Sequence, residues 1–293
     1  MAEQIVIRPL ESPDDLSQAE ALQAVVWPGS DLDVVPAHLM AAIVHNGGVV
    51  LGAFDGAHLV GFVLGFLGTD SGTPGRMAMA RLKHCSHQLG VLPEYRDRGV
   101  GLLLKKAQRQ AVIAQGVRLA TWTYDPLQSR NAHLNIRRLG AVCRTYLREV
   151  YGEMRDALNV GIPSDRFQVD WWVTSRRVAE RLEGKRPPLD LAHFYSAGAV
   201  LLNPAALGDD GLPRPPDHLD RPQGTLALVE IPPDFQAIRD RDLGLARAWR
   251  MHTRDIFENA FQRGYIVTDF VHFKGERFPR SFYLLSHGEG TLG

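Results

Sequence analysis

The residues of this chain best suited to chemistry cluster in the run LGVLPEYRDRGVGLLLKKAQRQ, Leu89 to Gln110. An apolar stretch ends at Pro93, the turn Arg96-Asp97-Arg98-Gly99-Val100-Gly101 follows, and an apolar stripe with helical spacing begins. The first N–H groups of a helix lack partners within it and sit at the positive end of its dipole. Glycines at 99 and 101 remove Cβ atoms that would hold a bulky anion away from that backbone. Arg96 and Arg98 add charge and forked donors suited to phosphate oxygens. The turn reads either as a pyrophosphate cradle or as a plain backbone bend. It lacks the third glycine of the dinucleotide fingerprint and the Gly-Lys-Ser/Thr of a nucleotide-triphosphate loop.

The flanking elements must position this turn. Gln4–Pro9 alternates as a short strand, and Ser12-Pro13-Asp14-Asp15 has the residues of a helix start. A second helix spans AHLMAAIVH; the runs VVLGAF and HLVGFVLGFLG around Asp55-Gly56 read as a hairpin. HQLGVL is the strand before the turn. The helix after it runs from Val100 to Gln115, with its stripe at Val100, Leu103, Leu104, Ala107, Ala111 and Ala114. VRLATWTY is the next strand, SRNAHLNIRRLGA a short helix, and CRTYLREVYG with RFQVDWWV a pair of strands. The order is α+β. A composition change near residue 176 divides the chain into residues 1–175 and a smaller α/β region, residues 176–293, with a Pro-, Asp- and Gly-rich loop from Asn203 to Gly224. The order strand, proline, helix, glycine, strand occurs twice, in LGVLP…GVRLATWTY and in LVEIPP…GYIVTDFV. Any α/β chain can yield that order; alternatively, the second half is a degenerate copy of the first, without the glycine-rich turn.

Lys+Arg and Asp+Glu are equal at 33 each in 293 residues, which gives no reason to expect a nucleic-acid or anionic-membrane partner. Cys85 and Cys143 are too few and too far apart for a disulfide scaffold. The amino-terminal residues carry neither a basic segment nor an apolar core, and no apolar run approaches a membrane span of roughly 18 residues. The expectation is a soluble cytoplasmic protein.

The run LGVLPEYRDRGVG resembles the acyl-CoA-binding motif of the GNAT superfamily of N-acetyltransferases, with Leu89, Val91, Pro93, Tyr95, Arg96, Gly99 and Gly101 in register. The resemblance implies a central mixed, mostly antiparallel sheet flanked by helices over about residues 4–174, and acetyl-CoA or another acyl-CoA as co-substrate. It implies pantetheine along the backbone of Leu89 and Val91, in a slot between that strand and Leu119–Tyr124. Pyrophosphate would lie on the N–H groups from Arg96 through Asp97, Arg98, Gly99, Val100 and Gly101 to Leu102. Asn131 in the later short helix is the candidate for the cofactor arm. A narrower resemblance covers nearly the whole chain, through WTYDPLQSRNAHLNIRRLGA and LVEIPPDFQAI. It is to a bacterial subgroup of predicted GNAT enzymes with a long C-terminal extension, associated with N-acylation, including N-succinylation, of amino acids.

Acyl transfer to an amine needs a base, donors for the oxyanion and an acid for the thiolate. The usual tyrosine acid is replaced by Ile136, so Tyr124 or Tyr146 would have to serve, or no dedicated acid is used. The position where several family members carry a glutamate base falls at or near Cys85, a poor base, with His84 and His87, which titrate near neutrality, as neighbours. His87, on one strand face with Leu89 and Val91 by period two, is the first candidate base or else a histidine fixed by hydrogen bonds at the sheet. Asp125 is the second candidate base or a turn cap at Pro126. Arg166 could hold a substrate carboxylate or make a surface salt bridge. No metal is expected from His84-Cys85-Ser86-His87 alone. The reading is an acyl-CoA-dependent N-acyltransferase for a small-molecule amine, with a homodimer left open. The alternatives are an acyl-CoA-binding module without turnover and a non-catalytic scaffold.

Overall fold

The computed structural model describes residues 5–29, 33–70, 72, 75–154, 159–187, 189–275 and 278–288, so Gln4 of the first expected strand lies outside the described residues. The chain forms two compact units, Met1–Trp122 with Trp171–Ser175, and Thr123–Met154 with Asn159–Asp170 and Arg176–Gly293. The units follow packing rather than the composition change near residue 176, because the strand Val142–Leu147 pairs with the tail strand Ile266–Phe273.

The first unit holds strands β1 (Val6–Pro9), β2 (Val49–Asp55), β3 (His58–Thr69), β4 (Leu82–Val91) and the start of β5 (Leu119–Tyr124), in that spatial order. β1 to β4 are antiparallel neighbours, and β5 runs parallel to β4. Helices α1 (Pro13–Val26) and α2 (Ala37–His45) cover one face, and α3 (Val100–Ala114) covers the other. Ser12 caps α1, its hydroxyl accepting from the Asp15 amide at 3.1 Å. The period of two sorts the sheet between the layers. Val50, Phe62 and Leu64 join Leu16, Leu22 and Met40 on the α1–α2 side, while Leu51 and Val63 join Val100 and Leu104 on the α3 side; Val60, the extra residue of a bulge against β2, also faces α3.

The second unit places α4 (Ser129–Ala132) and a π-helical turn, His133–Arg138, after β5. β6 (Val142–Leu147) and β7 (Arg166–Trp172), the expected pair of strands, are antiparallel neighbours. Beyond them come α5 (Arg176–Leu182), α6 (Leu191–Ser196), and the short strands β8 (Val200–Leu201), β9 (Ala206–Leu207) and β10 (Pro213–Arg214). The tail closes with β11 (Leu226–Ile231), α7 (Phe235–Arg241), α8 (Leu243–Gln262), β12 (Ile266–Phe273) and β13 (Arg280–Ser286). The one helix in the sequence order LVEIPP…GYIVTDFV is two helices. Asp242, with φ −149° and ψ 93°, leaves the helical region, and its carboxylate caps α8 at the Leu245 amide, 2.9 Å away. Spatial order is β7-β6-β12-β13-β11-β8. The repeated order of elements thus has a different topology the second time: β4 and β5 are neighbours, whereas β13 lies between β11 and β12. The mixed, mostly antiparallel sheet flanked by helices is the α+β arrangement expected.

Candidate active site

β4 and β5 pair only at His84 with Ala120 and Cys85 with Thr121. From Ser86 to Val91, β4 keeps its pairing to β3 while its other edge has left β5. This edge offers N–H and C=O groups to an extended ligand in the manner of strand addition. At the end of β4, a short turn at Pro93–Tyr95 leads to the glycine turn. The Tyr95 hydroxyl donates to Asp55 at 2.8 Å, tying the turn to the β2–β3 hairpin. Arg96 Nε donates to the carbonyl of Val91 at 3.4 Å, and the Arg98 guanidinium lies 5.0 Å from the Tyr95 ring centroid.

Asp97 and Gly99 take left-handed backbone angles, φ 62° and φ 82°. Gly99 is the N-cap of α3, no side chain caps that helix end, and open space occupies the position a Cβ at 99 would take. The Gly99 carbonyl already accepts from the Leu103 amide at 3.1 Å, while the preceding amides of the first turn project outward with no intrahelical acceptor. The Arg96 amide donates to the Pro93 carbonyl at 3.2 Å, so the amides left without an intrahelical acceptor are those of the first turn of α3, which starts at Val100.

The β4 strand is not regular. Gln88 pairs with Leu64 but Ser86 with Gly65, so His87 is the extra residue of a β-bulge. One extra residue reverses the alternation. Leu89 and Val91 pack on the α3 side, whereas His87 lies on the other side, 6.0 Å from the Phe66 ring. His87 thus does not share a face with Leu89 and Val91, contrary to the period-two expectation. It is exposed by surface area, and the protein packed around it lowers its imidazole pKa by desolvation. His84 is different: fully buried, it lies 3.1 Å from Gln115 Oε1 and 3.2 Å from Gln108 Nε2, and burial pushes it down to about 4. Gly65 makes room for that ring, since a Cβ there would lie 2.2 Å from His84 Nε2. The Cys85 thiol is pushed up by burial, which leaves it a poor base.

The buried face of α3 is Val100, Leu104, Lys105, Gln108 and Val112, rotated from the expected stripe; Leu103 is 39% exposed. Lys105, 2% exposed, donates to Ser86 Oγ at 2.7 Å and Gln108 Oε1 at 3.1 Å, and its ammonium lies 3.6 Å from the Trp122 ring centroid. Trp171 stands edge-on to Trp122 at 5.7 Å. Burial pushes the Lys105 amine down to about 7, with Cys85 opposing weakly. Sequence reasoning missed this lysine. A polar residue five positions after Val100 looks like a solvated helix side, and only the position of Trp122 shows otherwise.

In the second unit, Tyr124 is buried, 3.1 Å from the Tyr283 hydroxyl, and burial drives its pKa well up. Asp125 accepts from the Leu127 amide at 2.8 Å and from Arg250 Nη2 at 2.6 Å. Both carboxylate oxygens are engaged, which describes a cap and counter-ion rather than a free base. Tyr146 donates to Asp165 at 2.7 Å. Asn131 is exposed on α4, and Ile136 is fully buried in the core. Arg166 is also buried, bonded to Asn159 Oδ1 at 2.9 Å and the Asp165 carbonyl at 2.9 Å, which is neither a surface ion pair nor an open carboxylate site. Trp171 is fully buried while Trp172 is 41% exposed, as their opposite strand faces require.

The sequence matches no protein-family model and no curated protein. Several solved structures are similar to this chain at less than 20% identity. Arabidopsis thaliana NAA60, in complex with acetyl-CoA, has 18% identity over 58% of this chain and 99% of its own, TM-score 0.46. The ribosomal-protein-S18-alanine N-acetyltransferase of Escherichia coli has 14% identity over 59% and 96%, TM-score 0.44. An N-acetyltransferase from Staphylococcus aureus has 14% identity over 58% and 99%, TM-score 0.44. Among the described residues no helix is long and apolar enough to cross a membrane, and no group of three or more His, Cys, Asp or Glu could hold a metal ion.

Proposed function

We propose that this protein is an acyl-CoA-dependent N-acyltransferase that transfers an acetyl or larger acyl group, such as succinyl, to the amine of a small molecule, an amino acid among the candidates. One observation carries the reading: the free edge of β4 leads directly into an uncapped helix start with a left-handed glycine. Pantetheine needs an unpaired strand edge, and pyrophosphate needs exposed amides without Cβ atoms in front. The residues present fit both needs.

Leu89 and Val91 would hold the pantetheine amides through their backbone, and the turn from Arg96 to Leu102 would take the pyrophosphate. Asn131 is the candidate for the cofactor arm. The co-substrate supplies a thioester carbonyl as electrophile. His87, whose imidazole pKa is lowered by desolvation, would take a proton from the acceptor ammonium directly or through water. Asp125 and Tyr124 are weaker candidates on their bonding. Asp125 is paired with Arg250, and Tyr124 remains protonated and could only donate.

Calorimetric titration with CoA, acetyl-CoA and succinyl-CoA tests the proposal. Micromolar binding supports it, and a preference among the three identifies the donor. Absence of binding to all three removes it. Binding without turnover across a panel of amines would favour the acyl-CoA-binding module, a reading supported by the core residue Ile136 at the usual acid position.

A further inference from the structure

The second unit contains a cleft of about 460 Å³ whose lining includes Arg177, Arg186, His193 and Asp269 on its polar side, and Leu189, Phe194, Leu226 and Leu284 on its apolar side. Its charge is not balanced. Four guanidiniums, from Arg137, Arg177, Arg181 and Arg186, share the field of the Asp269 carboxylate; Glu180 also acts on Arg186, but it is paired with Arg176 at 2.6 Å. The Asp269 carboxylate is already used: Oδ2 accepts from Arg137 Nη1 at 3.0 Å and Arg181 Nη2 at 2.7 Å, and Oδ1 accepts from the Phe270 amide at 2.8 Å. Arg177 is spent on backbone, donating to the carbonyls of Gly140 and Thr268. Arg186 makes no hydrogen bond or ion pair with any described residue, and the buried Nε of Arg181 has no partner among them.

A half-buried cluster with this surplus of positive charge is costly unless an anion shares it. The surrounding groups register the field. Arg177 is pushed down to about 10, by burial first and then by Arg181 and Arg186. The pKa of Arg186 is lowered by burial and by Arg181, and that of His133 by burial and then Arg138 and Arg137. The opposite wall is apolar, with Phe194 and Leu284 buried against one another's neighbours in a small core. Beside them the Thr268 and Ser286 hydroxyls lie 2.6 Å apart.

We infer that this cleft binds a small organic carboxylate with an apolar body, its carboxylate on Arg186, within the field of Arg177, and its body against Phe194, Leu226 and Leu284. A bare inorganic anion would leave the apolar wall wet, and a neutral apolar molecule would leave the guanidiniums unpaired. The inference does not depend on the function proposed above, because every residue used belongs to the second unit and none to the glycine turn.

The test is calorimetric titration of the full-length protein with benzoate, hexanoate, benzyl alcohol and sulfate. Benzoate and hexanoate are expected to bind, with benzyl alcohol and sulfate at least tenfold weaker. Arg186→Gln removes no bond from the fold and should weaken benzoate binding at least tenfold. Ala197→Phe, placed at the cleft lining to fill it, should do the same. CoA titration should be unchanged in both variants, with far-UV circular dichroism as the control for folding. The inference is overturned if neither carboxylate binds the wild type, if sulfate binds as well as benzoate, or if Arg186→Gln binds benzoate like the wild type.

Discussion

The ammonium of Lys105 rests 3.6 Å from the centroid of the Trp122 ring, buried beneath the place where β4 and β5 part. A cation so placed gains from the ring quadrupole but loses its hydration, and the loss dominates, leaving an amine that titrates at about 7 instead of 10.5.

The linkage follows from that depression. Between pH 7 and pH 10 the unfolded chain carries a proton at residue 105 that the folded chain has shed, so stability rises with pH across this window. The slope is up to about 1.4 kcal/mol per pH unit, and below pH 7 the contribution is flat. Urea unfolding midpoints of the wild type and Lys105→Met, measured from pH 6 to 10, should diverge in slope. Parallel curves would mean that Lys105 stays charged.

Gly99→Glu adds a carboxylate where the cradle is open and forces φ 82° on a residue with a Cβ. The strain costs about 1 kcal/mol, so the fold should survive. CoA affinity should fall at least a hundredfold, whereas Gly99→Asn, which tolerates left-handed angles, should lose less than tenfold. Calorimetry on the pair separates the ligand effect from the backbone effect.

Asp125→Asn should act on folding rather than on proton transfer. It removes the counter-ion of Arg250, which is 0% exposed and whose Nε and Nη1 already lack partners among the described residues. Breaking one side of a buried pair costs about 3–5 kcal/mol. Thermal unfolding should show that loss, and Asp125→Leu combined with Arg250→Met should recover most of it. A variant that folds normally but loses turnover would instead restore Asp125 as a base.

Tyr95→Phe removes the bond to Asp55, whose Oδ1 is already buried without a partner among the described residues. The expected stability loss is about 1–2 kcal/mol. CoA affinity should drop severalfold as well, because the turn preceding the cradle loses its tie to the β2–β3 hairpin.

His87→Gln should leave stability nearly unchanged, since the bulge residue is exposed. Once an acceptor is known, the acid limb of kcat/KM in the wild type should fall below the ordinary histidine value of 6.5, because desolvation lowers the pKa. That limb should vanish in the variant while the KM for acyl-CoA holds. An unchanged pH profile would assign the base elsewhere.

The amino-acid sequence by itself determined the local devices. Pro93, Gly99 and Gly101 specified a turn between strand and helix, Ser12-Pro13 a helix start, and period-two runs the strands, because each depends on steric and hydrogen-bonding preferences within a few residues. The tertiary structure decided what those signals could not contain. The β4 bulge is set by pairing with β3, and a single extra residue turned His87 to the face opposite Leu89 and Val91. Asp125 became a counter-ion because Arg250, 125 residues later, packs on it. Lys105 lost its solvent because strand and helix layers close over it, and β13 entered between β11 and β12 because strand order is a global choice. Local geometry is written in neighbouring residues; burial and charge depend on which distant segments meet.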